Sequence, residues 1–189
     1  MTLLHKAAKK GNLGFVQWLF RQGGADLDLP GPRGYTALHF AVEGKHDKVA
    51  QWLLEEGVDV NAATSDSVTP LQMAVWNNDS LSAKLLLDND AEINKPGWET
   101  RRAIHYAVVN ADTEMWKLLC RDPNIDINAK DAAGATALDW AKKHSNDRAE
   151  KILRSYGAKH GDSPKSDNDA SLSSSALSVP DITKLTHKA

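Results

Sequence analysis

The chain has 189 residues, with 23 basic and 25 acidic side chains and a formal charge of −2. That balance gives no electrostatic footprint for nucleic acid or a membrane surface. A single cysteine, Cys120, excludes an intrachain disulfide and a cysteine-based zinc cluster, and no apolar run approaches membrane length, so the chain reads as intracellular, cytoplasmic or nuclear.

In chain order, one phrase keeps returning. It begins as TLLH at residues 2–5, followed by Ala7, the apolar run FVQWLF (15–20) and the closing GADLDL (24–29). The second copy is TALH (36–39), Ala41, VAQWLL (49–54) and GVDVNA (57–62). The third is TPLQ (69–72), Ala74, SAKLLL (82–87) and DAEINK (90–95). The fourth is RAIH (102–105), Ala107, MWKLLC (115–120) and NIDINA (124–129). The fifth, TALD (136–139), Ala141 and AEKILR (149–154), has no closing phrase. Box starts differ by 34, 33, 33 and 34 residues. Self-similarity at such a period is the mark of a stacked repeat, because one short helix pair cannot bury its own apolar face.

Five copies in register resemble the ankyrin repeat family over residues 1 to about 158. The resemblance implies an all-α repeat solenoid, each unit holding a β-turn finger and two antiparallel helices. The units fall at about 1–30, 31–63, 64–96, 97–130 and 131–158. Thr2, Thr36, Thr69 and Thr136 suit helix N-caps, and Pro70 suits the first helical turn. Three histidines spaced by a repeat length, His5, His39 and His105, are architecture: in the family this histidine bonds neighbouring backbone. Gln72 and Asp139 fit the same hydrogen-bonding role. Arg102 replaces the capping Thr. The tip glycine persists as Gly34 and Gly134 but is Ser67 and Thr100 in the middle units, where positive φ would be strained.

No phosphate loop, GxSxG or HExxH is present. The acidic EEGVD and DND stretches read as solvated turns, and Met73, Met115 and Cys120 as core filler. An enzyme with its site in the groove is a rival reading supported only by scattered His and Asp. No cofactor or metal is implied. Asn61, Asn94 and Asn128 close their units and read as ties between fingers. For Asn61 and Asn94 a second reading stands beside this one, since the flanking Leu, acid and apolar residues resemble the context of ankyrin asparagine hydroxylation.

In the family, partners meet the concave side, built from finger tips and the exposed edge of the first helices. Carried over by position, the candidates for contact with a protein partner are Arg33, Tyr35, Glu43, Trp76, Asn77, Trp98, Glu99, Arg101 and Asn110. The six tryptophans match the three Tyr and three Phe combined. Trp18, Trp52 and Trp116 read as second-helix packing and Trp140 as semi-buried. Trp76 and Trp98 fall where packing leaves them free, as binding anchors, although Trp98 could instead pack on the adjacent tip.

The chain opens directly on the first box. Either this unit is a cap wetted by Lys6, Lys9 and Lys10, or the array continues upstream. The polar last helix suits a terminal cap. Residues 159–189, rich in Ser and Asp, read as a disordered tail with Ser163 as a candidate phosphosite and LSVPDITKL as a candidate linear motif. The function expected is a monomeric, non-enzymatic protein-interaction scaffold or adaptor. The alternative is a regulatory or structural part of a larger multidomain protein.

Overall fold

The computed structural model describes residues 1–161. The expectations for residues 162–189, including Ser163 and LSVPDITKL, lie outside the described residues. Ten helices pair into five units: α1 (Leu3–Lys9) with α2 (Leu13–Gly23), α3 (Ala37–Glu43) with α4 (Asp47–Glu55), α5 (Pro70–Trp76) with α6 (Ser80–Leu87), α7 (Ala103–Asn110) with α8 (Thr113–Arg121), and α9 (Ala137–Lys143) with α10 (Asp147–Ser155). The first helices stack in the order α1, α3, α5, α7, α9, and α2, α4, α6, α8 stack behind them. No described helix is long and apolar enough to cross a membrane.

Each first helix starts at its box for a local reason. The Thr2, Thr36, Thr69 and Thr136 hydroxyls accept the backbone N–H three residues on, and the side chain there accepts the cap's own N–H. Two of the helix's orphan donors are thereby satisfied. Arg102 has no oxygen to accept with. It keeps only the reciprocal bond, its N–H donating to His105 Nδ1 at 3.2 Å. A missing cap costs about 1 kcal/mol. The guanidinium offsets part of this by tying down two loops, donating to the carbonyls of Asn94 and Lys130, both at 3.0 Å.

The box's fourth side chain does a second job. The Thr36 N–H can only donate to His39 Nδ1, so the ring hydrogen sits on Nε2, which donates to Val68 C=O in the next unit at 3.1 Å. His5 reaches Leu29 C=O at 2.8 Å and His105 reaches Ala135 C=O at 3.3 Å. The Gln72 amide makes the same pair of bonds, accepting from Thr69 N–H and donating to Lys95 C=O at 2.7 Å. Asp139 has no hydrogen to give, so the direction reverses and it accepts from Gly161 N–H at 2.7 Å. Lys159–Gly161, which the sequence reading places in the tail, are thus bonded to the last units. Asn128 accepts from Lys159 N–H there.

Small residues let the first helices approach closely: Ala7, Ala41, Ala74, Ala107 and Ala141 are all buried. Behind them Leu53, Leu86, Leu119 and Leu153 form a fully buried column, one per unit from the second onward. Met73 and Met115 fill the same core. Cys120 is buried beside it, and burial pushes its thiol up to about 11, so it is inert at neutral pH.

Burial pushes His39 from 6.5 down to about 4, against the opposing effect of its bond to Val68. Below pH 6.5 the unfolded chain takes up a proton that the folded chain refuses until about pH 4. Stability from this group is thus complete above 6.5 and falls as pH drops towards 4, by about 3 kcal/mol in all. His39→Gln, which copies unit three, is expected to show a shallower fall in melting temperature between pH 7 and 4.5 than the wild type. Equal slopes would assign the acid sensitivity elsewhere.

Candidate functional site

The tips and the open edge of the first helices form one continuous face. Each tip is a closed finger: Gly31 N–H donates to Tyr35 C=O, Thr64 to Val68, Gly97 to Arg101 and Asp131 to Ala135, at 2.7 to 3.0 Å. Closing so tightly takes a left-handed residue, and the column Gly34, Ser67, Thr100 and Gly134 has φ of 77°, 59°, 55° and 78°. For glycine this is free; for the β-branched Thr100 it is strained. Neighbouring tips are joined by Ser65 N–H to Arg33 C=O and Ala132 N–H to Glu99 C=O. No such backbone bond joins the third tip to the fourth.

Several expected contact residues sit on this face. Arg33 is exposed and pairs with Asp66 at 2.5 Å. Glu43 is half-buried and lies 3.7 Å from Lys9, which in turn covers the Phe40 ring. Trp76 and Asn77 are half-buried; the Asn77 carbonyl accepts from Lys45 Nζ, and the Trp76 carbonyl from the exposed Asn110 amide. Trp98 is half-buried and Glu99 exposed.

Two are not surface residues. Tyr35 is buried, packed on the His39 and Phe40 rings 5.5 and 5.4 Å away. Arg101 is buried too, its guanidinium 4.6 Å from the ring centroids of both Trp98 and Trp140 and paired with Glu99. The position before the second, third and fourth boxes points into the stack. Its register shows this, since Val68 shares the position and is buried as well.

Tyr106 was outside the expected set and supports Trp76 from the next unit. Its ring meets Trp76 edge-on at 6.2 Å. Burial pushes its hydroxyl up to about 12, Arg101 opposing and Glu99 adding to the shift. Trp76 with Tyr106, and Trp98 and Trp140 with Arg101, are two aromatic clusters on units three to five. Trp140 is half-buried, and its indole N–H donates to Asp131 at 2.9 Å.

The closing asparagines are ties. Asn61 Oδ1 accepts from Glu92 N–H, Asn94 from Asp126 and Asn128 from Lys159, and Asp28 does the same for Asp59 in the first unit. Asn61 and Asn94 also donate to the Asp90 and Asn124 carbonyls.

One tryptophan departs from its expected role. Trp18 is 56% exposed, although Trp52 at the same register position is 7% exposed. The reason is placement, not chemistry: Phe20 of α2 packs edge-on against Trp52, whereas no described helix lies beyond α2 on the Trp18 side. Trp18 stacks on Phe15 instead, and Leu3 is likewise open. Trp116 is buried as expected.

Residues 4–97 and 71–163 match the family model for ankyrin repeats in three copies. The chain belongs to the ankyrin repeat family. Among curated proteins it is 34% identical over 70 residues to protein phosphatase 1 regulatory subunit 27 of Mus musculus, covering 37% of this chain and 45% of that one. It is 43% identical over 58 residues to ankyrin repeat domain-containing protein 39 of Homo sapiens, covering 31% of each. The chain thus spans less than half the length of these two relatives.

The two register-equivalent tryptophans give a direct test of this ankyrin stack. Trp52→Ala opens a core cavity and should cost about 3 kcal/mol or more. Trp18→Ala should stay within about 1 kcal/mol, as surface changes do. Similar losses of melting temperature in the two variants would contradict the placement of the first unit.

Proposed function

We propose that the array is a non-enzymatic scaffold or adaptor that binds a protein partner on the concave surface formed by the tips and first helices, acting as a monomer. The observation that carries this is the pair of tryptophans on units three and four that stay partly open to solvent, Trp76 against Tyr106 and Trp98 against Arg101. Half-open tryptophans beside arginine have the make-up of binding hot spots. Stacking holds them rigid, so association loses little conformational entropy. Arg33, Glu43, Asn77, Glu99 and Asn110 supply the polar surround, while Tyr35 and Arg101 act from beneath as supports. That one relative is named as a regulatory subunit of a protein phosphatase fits a role in holding another protein. Asn61 and Asn94 serve this scaffold as ties; hydroxylation at either would require the enzyme to draw its loop from the stack.

The alternative, a regulatory or structural part of a larger multidomain protein, has one observation in its favour. Leu3, Phe15 and Trp18 are open where Ala37, Val49 and Trp52 are buried in the second unit. The occupant that fits such a face is another helix pair.

The test of the scaffold reading is affinity capture with the full chain, followed by binding measurements on the captured protein. Trp76→Ala should weaken binding about thirtyfold, the equivalent of about 2 kcal/mol, with little change in melting temperature. Unchanged affinity would remove this face as the binding surface.

A further inference from the structure

Arg101 is a cation held almost out of water, 4% exposed, with the Trp98 and Trp140 indoles each 4.6 Å from its guanidinium carbon. Only Nη2 has a partner, the Glu99 carboxylate two residues back. Nε and Nη1 are buried, and no acceptor among the described residues reaches them. The Tyr106 hydroxyl is buried and, among the described residues, unpartnered as well. Asp131, the next acid along, is committed elsewhere: it accepts from the backbone N–H of Ala133 and Ala135 and from the Trp140 indole.

Idle buried donors are costly, by about 1–3 kcal/mol for each neutral group and more on a charged one. The cover over these donors is itself strained. Trp98 sits on the one tip with two successive left-handed residues that are not glycine, Glu99 at 51° and Thr100 at 55°. That tip is also the one that lacks a backbone bond to the tip before it. Strain of this kind collects at ligand clamps.

We propose that the Trp98–Arg101–Trp140 stack is a pocket for the side-chain carboxylate of an acidic partner segment, with Glu99 as the chain's own placeholder. The pocket lies on the face of the proposed scaffold, and its role rests on that reading. Glu99 engages a single nitrogen. A carboxylate spanning Nη2 and either neighbouring nitrogen makes two parallel bonds and displaces it. The flat guanidinium edge, reached when Glu99 and the Trp98 cover give way, suits a planar carboxylate better than a tetrahedral phosphate. The aromatic walls keep water away and so strengthen the pairing.

The test is a titration of the full chain with a blocked octapeptide of alternating Gly and Glu, using the Gly/Gln peptide as control. Nitrogen-15 NMR reads the Arg101 Nε–H and the Trp98 indole N–H. Saturable shifts with the Glu peptide alone are expected. Glu99→Gln, which removes the competitor without touching the stack, should lower Kd about tenfold, the worth of one charge-assisted bond. Arg101→Lys should abolish the response. Equal shifts with the Gln peptide, or an unchanged Kd in Glu99→Gln, would overturn the pocket. A silent Arg101 in a chain whose partner is still lost on Trp76→Ala would overturn the pocket and leave the scaffold standing. A responding Arg101 in a chain whose partner survives Trp76→Ala would support the pocket and remove the wider surface.

Discussion

One hydrogen bond per unit carries the architecture: the bond from the fourth residue of the box to a backbone carbonyl at or near the next unit's finger. At its near end the same side chain accepts the N–H of the helix cap, so starting a helix and joining two units are one event. His5, His39, Gln72 and His105 repeat this with different chemistry and the same geometry. A neutral ring is required, because a charged imidazolium has no lone pair to accept with and would sit deep in the stack. Burial supplies that neutrality, lowering His5, His39 and His105 alike. Replacing the ring by Asp139 changes the rule at the last unit, where a carboxylate can only accept. The chain accordingly turns back there to offer the Gly161 N–H.

The outer loops carry a second, weaker ladder through Asp28, Asn61, Asn94 and Asn128. With the buried leucine column between the two, the units from the second onward are held at the tip, the middle and the closing loop. This leaves the tips and the edge of the first helices as surface that can vary without loosening the stack. The fourth unit varies most. It lacks the capping threonine and the tip glycine, and it carries a tryptophan and an arginine where the second unit has Pro32 and Tyr35. Arg102 restores some of the lost order by bracing two loops, whereas Trp98 and Arg101 add nothing the fold needs elsewhere. The fourth unit departs from the pattern in these four places while keeping its buried alanines and its cross-unit histidine.

Much of the fold was legible because its causes are local and repeated. Thr at the cap, a donor–acceptor side chain three residues on and Ala two beyond that each have a short-range reason to be there, and five copies separate them from chance. Burial on the tips was harder to read. Tyr35 and Arg101 look like surface residues by type, and only their column partner Val68 shows that the position points inward. Trp18 failed for the opposite reason: its own sequence matches that of Trp52, and what differs is the neighbour that covers it. Tyr106 was missed because it lies at a core register position, and its contact is with Trp76 of another unit. Such contacts between units leave no trace in the local pattern.

The most direct measurement is the tautomer of the box histidines, read from the nitrogen-15 shifts of their imidazoles at pH 7. Bonding at both ends requires all three of His5, His39 and His105 to be neutral with the hydrogen on Nε2. That state in all three is the expected result. A hydrogen on Nδ1, or rapid exchange between the two nitrogens, would mean that the helix cap and the next unit are not joined through these rings.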